Sequence, residues 1–465
     1  MQTRERAAAR RWWLPLLVAS VGSFVSATGF GAAGLALPRI TEQFAIDLTV
    51  AQWVPLLQNL VMTATLLPAG WLADRVGTRR IFIAGTILYA VGSFASAISP
   101  TFLVLLAMRG VVIVGTAMAT ATSPAITIGV VPPERRGQAL GWTVTFTYVG
   151  LALGPSLAGI AMAIGDWPAA FGFIVPFALL VAVAAWRWLP ADVGVTPTAR
   201  AFDALGAVLL TVAITGLLLA LTQGPAWGWT SPAILSVAGT GLVASAVFVV
   251  HELRTAEPLL DLRLFQSRVF ASANVSSILL YLGGWTPPFL MPFFLIDGQG
   301  LGPAQAGLLL SVLPLATMVT APPAGVLTDR WGSTGLAVTG MGLVAGGLFL
   351  LGGLSADASG LDVAWRLAII GLGIGLFTTP NNTAALSSVP ENQRATASAL
   401  TGAVRNVGMA VGVALAGTTY AEVLARTVPT LGPDAARLEA FRWAFWVVAS
   451  VTACGVVTTL LRGRR

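Results

Sequence analysis

Gly70-Trp71-Leu72-Ala73-Asp74-Arg75-Val76-Gly77-Thr78-Arg79-Arg80 separates two long apolar runs, roughly 50–73 and 81–100. It gathers one acid and three arginines in a chain with few charges. Asp74 falls near the C-terminal end of the helix before it, where that helix's own dipole disfavours an anion, so its carboxylate should seek a positive partner elsewhere. Gly70 and Gly77 are expected to allow close backbone approach and a tight turn. Taken alone, the stretch also reads as an ordinary arginine-rich loop of a membrane hairpin. It recurs, however, 255 positions later as Gly325-Val326-Leu327-Thr328-Asp329-Arg330-Trp331-Gly332. A second echo is nearly collinear: residues 131–159 align without a gap on 389–417, with 12 of 29 positions identical. The shared positions include Arg136/Arg394, Thr143/Thr401, Gly150/Gly408 and Gly154/Gly412. Two echoes at nearly one offset indicate a duplicated unit in parallel orientation.

Composition sets the class. The chain is 56% hydrophobic and 10% charged, with mean hydropathy +0.83, whereas soluble domains carry about a quarter charged residues. Its apolar runs are about 20 residues long, helix length for the hydrocarbon core of a bilayer. They lack the every-second-residue alternation of barrel strands. The net charge of +7 comes from arginine alone and is scattered among short loops, which argues against a nucleic-acid surface. Cys454 is the only cysteine and His251 the only histidine. Metal sites and histidine-based catalysis therefore lack material, the spans hold no nucleophile–base set, and neither a cofactor nor an enzyme is expected. Arg4, Arg6, Arg10 and Arg11 precede Trp12 as in a signal n-region, but the apolar stretch that follows is long enough to be the first membrane helix.

Fourteen spans are predicted, roughly 13–37, 50–73, 81–100, 102–126, 138–163, 168–189, 203–223, 230–251, 269–295, 304–328, 335–355, 363–386, 395–420 and 441–461. Pro38, Pro100, Pro132, Pro133, Pro190, Pro258, Pro390 and Pro433 are placed in or beside the connections. Nineteen of the 26 arginines fall at one set of loops and ends and five at the other, namely Arg39, Arg366, Arg426, Arg437 and Arg442. This bias puts both termini in the cytoplasm. Six helices with short loops need about 190 residues, so the repeat offset leaves room for two more, at 203–223 and 230–251. The expected plan is an all-α polytopic membrane protein of six, two and six helices. Its parts are a bundle over 1–190, an insertion over 191–263 and a second bundle over 264–465, with the bundles related as parallel repeats.

The ordered motifs resemble the major facilitator superfamily, and within it the fourteen-helix drug:proton antiporter branch. Gly70–Arg80 resembles that family's signature between helices two and three. Gly141, Gly150, Gly154, Pro155, Ala158 and Gly159 resemble the antiporter signature of helix five. Glu257–Phe265 resembles the linker after helix eight, and Val404–Gly408 the thirteenth helix. Small residues let helices approach closely, and Pro155 removes a backbone hydrogen bond and is expected to bend its helix; the second copy has Val413 there.

The resemblance implies secondary transport of small molecules by alternating access, driven by protons, in a monomer embedded in the bilayer of the inner or plasma membrane. It assigns Asp74, Arg75, Gly77, Arg79 and Arg80, echoed by Asp329 and Arg330, to a gating loop, and it links Arg109 to proton coupling. A charge at the depth of Arg109 is a functional candidate in its own right. The candidate cavity draws on Ser26, Thr28, Gln58, Asn59, Tyr148, Asn274, Tyr281, Trp285, Asn381, Asn382, Arg405 and Asn406. One departure stands out. The family's first helix usually carries an Asp upstream of Ala-Leu-Pro, and here that position reads Gly29 ahead of Ala36-Leu37-Pro38. Coupling through Asp74, through a rim acid such as Asp297, or without a proton all stay open. A single-metabolite exporter and a non-transporting membrane sensor are the alternatives.

Overall fold

The apolar residues that follow Trp12 wind into a 32-residue helix, α1 (Trp13–Phe44). In the computed structural model, which describes residues 12–132, 136–190, 203–255, 258–389 and 394–462, thirteen further helices of fourteen residues or more follow. They are α2 (Trp53–Val76), α3 (Thr78–Ala97), α4 (Phe102–Val130), α5 (Arg136–Gly172), α6 (Val175–Trp188), α7 (Ala204–Trp227), α8 (Pro232–Arg254), α9 (Arg268–Pro292), α10 (Pro303–Trp331), α11 (Ser333–Gly352), α12 (Gly360–Ser387), α13 (Arg394–Leu431) and α14 (Pro433–Leu460). Many of the described connections between successive helices are short, a single residue between α2 and α3 and between α10 and α11.

Twelve described segments are long and apolar enough to cross a membrane. One of them, Trp142–Trp188, takes in α5 and α6 together. It breaks at Gly165 and Asp166, whose backbone leaves the helical region. At about 1.5 Å per residue, the fourteen residues of α6 alone fall short of a bilayer core of about 30 Å. Helix α2 is 24 residues long and apolar over most of its length. The fourteen crossings read from the sequence require α5 and α6 to count separately and α2 to count as one.

Three boundaries depart from expectation. Pro38 lies inside α1, which continues to Phe44 and stops at Ala45 in the left-handed region (φ 49°). Helices α13 and α14 extend past the apolar runs to Leu431 and back to Pro433. Ion pairs one turn apart support these polar extensions: Arg426 with Glu422, Arg437 with Asp434 (3.6 Å) and Arg442 with Glu439 (2.9 Å). Arg39 and Arg366 likewise pair with Glu42 (2.8 Å) and Asp362 (3.6 Å). All five arginines of the sparsely charged end thus carry an acid on their own helix.

The repeated loop folds alike in both copies. Gly77 and Gly332 take positive φ, 111° and 81°, a conformation that favours glycine. Each donates its backbone N–H 2.9 Å to the residue four back, Ala73 and Thr328. Between the two halves the apolar core is one continuous cluster at the end away from this loop, joining Ala32, Leu56, Ala158, Leu290, Ala306 and Val413 among others. Toward the loop end it divides. One cluster, around Phe82, Tyr89 and Ala178, lies within the first half. Another, around Leu264, Phe270 and Leu400, lies in the second half together with Phe248 of α8.

Candidate functional site

The glycines of α5 and α13 set how the halves meet. A methyl on Gly154 would stand 2.7 Å from the Thr28 carbonyl oxygen, and one on Gly150 would collide with that of Phe24. In the second copy, Gly408 meets the Ile278 carbonyl at 2.7 Å and Gly412 collides with that of Leu282. Both pairs therefore press onto the first helix of their own half. The third glycine of each set does something different. Gly159 is pressed against the Pro303 carbonyl at the start of α10, and Gly417 against the Gln52 side chain just before α2. These are contacts to the opposite half, and they are related by the same repeat.

Around them the seal is completed by Gly307 under the Pro155 carbonyl, by Gly34 under that of Pro288, and by a Ser156–Ser311 hydroxyl pair at 2.7 Å. Helix α5 stays helical through Pro155, and its break lies later, at Gly165–Asp166. Helix α9 enters the seal through Pro288, carries Pro287 and Pro292 beside it, and is followed by a π-helical turn, Phe293–Gly298. Such turns interrupt regular α-helix and often mark functional sites.

Below the seal, at mid-depth, three sequence-predicted residues converge. Arg405 of α13 is exposed, and its guanidinium lies 5.7 Å from the centre of the Tyr281 ring. Tyr148 of α5, in the other half, is within electrostatic reach of both. Trp285 meets Phe30 across the halves edge to face, at 6.5 Å. A cation between two phenols can pair with an anion and stack a planar group.

Three of the predicted amides are engaged elsewhere. Asn274 donates to its own helix at Phe270 (2.9 Å), and Asn59 likewise to Pro55 (2.9 Å). Asn381 donates to Ala273 (3.1 Å) and Ser277 (2.9 Å) and accepts from Arg462. Gln58 and Asn406 are buried, and Asn382 is exposed. The buried Arg462, just past α14, was not anticipated from sequence; burial pulls its guanidinium down to about 10. A cleft of about 400 Å³ between the starts of α1 and α5 is walled by Trp12, Trp13, Trp142 and Phe146, and it touches none of the central residues.

Arg109 is 3% exposed and stacks on Phe171 at 4.8 Å, with Nε and Nη2 lacking a hydrogen-bond partner among the described residues. Its electrostatic neighbour is Tyr89, whose hydroxyl donates to the Val25 carbonyl (3.1 Å). That hydroxyl sits where a side chain on Gly29 would go. The space of the family's first-helix acid is therefore filled from α3 by a phenol.

In the loop, Arg79 donates to the Trp186 carbonyl, Arg75 stacks on Trp71 at 4.3 Å, and Arg80 and Arg330 are exposed. A methyl on Gly70 would meet nothing within 4 Å, so the close approach expected there is not made in this conformation. The side chains of Asp74 and Asp329 lie outside the described residues. Their helix-end placement disfavours an anion, and a charge-assisted partner is worth about 1.5–3 kcal/mol. Asp74→Asn is expected to insert normally, lose transport and shift the two-state ratio about 10- to 100-fold toward an inward-facing form, since about 1.4 kcal/mol is tenfold. Asp329→Asn is expected to do less, because the second copy lacks the paired arginines, Ser333 and Thr334 following Gly332. Efflux at matched expression checks this, and equal damage from the two substitutions would sink it.

Known proteins share this arrangement. The family model of the Major Facilitator Superfamily matches residues 19–252 and 273–465. The riboflavin transporter RibZ of Clostridioides difficile (strain 630) is 28% identical over 453 residues, 97% of this chain and 98% of that protein. The multidrug resistance protein Stp of Mycobacterium tuberculosis is 29% identical over 416 residues, 89% of this chain and 77% of that protein. The crystal structure of a bacterial homolog of the human lysosomal transporter Spinster, in an inward-facing and unoccupied conformation, superimposes with a TM-score of 0.72 at 15% identity. That match covers 97% of this chain and 96% of the other. With its parallel helical halves, its repeated loop and its glycine-packed fifth and thirteenth helices, the chain belongs to the Major Facilitator Superfamily.

Proposed function

We propose that the protein exports neutral or anionic amphipathic small molecules by alternating access, with bundles 1–190 and 264–465 rocking about a mid-depth cavity. Residues 191–263 contribute the two inserted helices, and the loop end with both termini faces the cytoplasm. In that orientation the described conformation is the inward-facing one, sealed on the far side by Gly159, Gly417 and the Ser156–Ser311 pair. The observation that carries the reading is the exposed Arg405 at mid-depth, set against Tyr281 and near Tyr148 of the opposite half. A cation there favours an anion or a polarisable ring over a second cation. Proton antiport is part of the proposal, and Arg109 and Asp74 are its candidate relay. Relatives named for riboflavin transport and for multidrug resistance support both a dedicated and a broad cargo range.

Uptake into inverted vesicles tests this directly. Labelled neutral, anionic and dicationic amphiphiles are offered with and without an imposed pH gradient. Uptake of several unrelated neutral and anionic compounds, enhanced by an acidic lumen, is expected. Uptake of one compound alone would favour the dedicated exporter. Robust uptake of the dicationic dye would overturn the charge preference, and indifference to the gradient would overturn proton antiport.

A further inference from the structure

The inserted pair α7–α8 contains the most unusual polar cluster outside the central cavity. Asp203 caps α7, accepting from the Gly206 N–H at 2.8 Å, and its Oδ1 also lies 2.8 Å from His251 Nε2. Glu252, one residue on from His251, is 1% exposed, and its Oε2 accepts the Leu260 N–H at 3.0 Å. The linker after α8 is thereby tied to the helix. The other oxygen of each carboxyl, Asp203 Oδ2 and Glu252 Oε1, is buried and has no donor among the described residues. The two side chains nonetheless stand within hydrogen-bonding reach of each other, and both oxygens crowd the same face of Gly206.

Two acceptors in contact away from water repel unless a hydrogen lies between them. One proton satisfies both at once. We propose that Glu252 Oε1 carries a proton donated to Asp203 Oδ2, and that this proton-binding site clamps α7, α8 and the linker together. Among the described residues, the charged groups on the surrounding elements are His251 and Arg254 of α8, Asp203 before α7, and Asp261 and Arg263 of the linker. Arg263 is turned away, donating to the Leu253 carbonyl at 3.0 Å, and Asp261 caps Arg263 N at 3.2 Å. His251 and Asp203 are therefore the groups that act on Glu252. Burial pushes the Asp203 carboxyl up, but the Gly206 N–H, His251 and the Leu259 N–H outweigh it and hold that carboxyl below its ordinary value. This places the proton on the glutamate side. The folded clamp then binds a proton that the unfolded chain releases, so its stability falls as pH rises. The site is independent of the cargo reading, and it makes the inserted helices a pH-responsive tie.

The test uses the full chain in lipid nanodiscs. Infrared difference spectra between mildly acidic and alkaline buffer are expected to show loss of one protonated-carboxyl C=O band in wild type. The band should shift with glutamate-specific carbon-13 labelling and be missing from Glu252→Gln, whose amide can donate to Asp203 and keep the Leu260 bond. Tryptic cleavage after Arg254 and Arg263 should accelerate on alkalinisation in wild type, after correction for the protease's own pH profile, and stay flat in Glu252→Gln. A band unmoved by glutamate labelling, a band retained in Glu252→Gln, or no band at any pH would overturn the proposal. If the variant fails to insert, the labelling of wild type decides.

Discussion

Gly159→Val is expected to abolish transport while leaving the fold intact. The added side chain would strike the Pro303 carbonyl of the opposite half, a contact that the proposed rocking of the halves would break when the far end opens. Overpacking of a close contact costs about 1–3 kcal/mol, which moves a two-state equilibrium about 5- to 150-fold, because about 1.4 kcal/mol is tenfold. The bias is toward the conformation in which the far end has opened. Gly417→Val should act in the same direction but less strongly, since its neighbour is the Gln52 side chain rather than backbone. Gly154→Val and Gly412→Val supply the contrast. They strike Thr28 and Leu282 within their own halves, contacts that rigid rocking of the halves would leave in place, so they should lower thermal stability without biasing the cycle. Reactivity of a cysteine at the loop end, measured in a Cys454→Ser background, reads the bias. Full transport by Gly159→Val, or loop-end reactivity equal to that of Gly154→Val, would show that the third glycine is not a state-dependent contact.

Arg405→Gln is expected to raise KM for anionic cargo by about 10- to 100-fold and to leave neutral cargo little changed. A hydrogen bond to a charged group is worth about 1.5–3 kcal/mol, and about 1.4 kcal/mol is tenfold. Arg405→Lys should fall between, since an ammonium keeps the charge but cannot offer a planar fork or stack on Tyr281 in the same way. Because Arg405 is exposed and makes no ion pair among the described residues, the substitutions should not destabilise the fold. Equal losses for neutral and anionic cargo would instead assign Arg405 to conformational change, and unchanged kinetics would remove it from the cavity.

Much of this protein was legible from composition and spacing. Hydrophobic run length decides that the chain is made of membrane helices, because in hydrocarbon the backbone must satisfy its own hydrogen bonds. The echo of Gly70–Arg80 at Gly325–Gly332 identified the parallel repeat, since a left-handed turn needs glycine at one spacing after the helix, and Gly77 and Gly332 both supply it. The small residues of α5 were legible for the same reason: close helix approach admits few residue types. Facing was not legible. Lipid and core are both apolar, so a membrane helix has little periodic contrast to reveal which side meets its neighbour. Only the tertiary structure therefore decided that Gly150 and Gly154 press on α1 while Gly159 presses on the other half. The same holds for Asn274 and Asn381, which read as cavity amides but are turned to backbone and to Arg462. It also holds for Tyr89, which fills the space beside Gly29, and for Asp203 and Glu252, brought from 49 positions apart to face one another. These depend on the rotation of each helix about its axis and on how the halves dock, quantities set by packing between distant segments and not by the local pattern of any one of them.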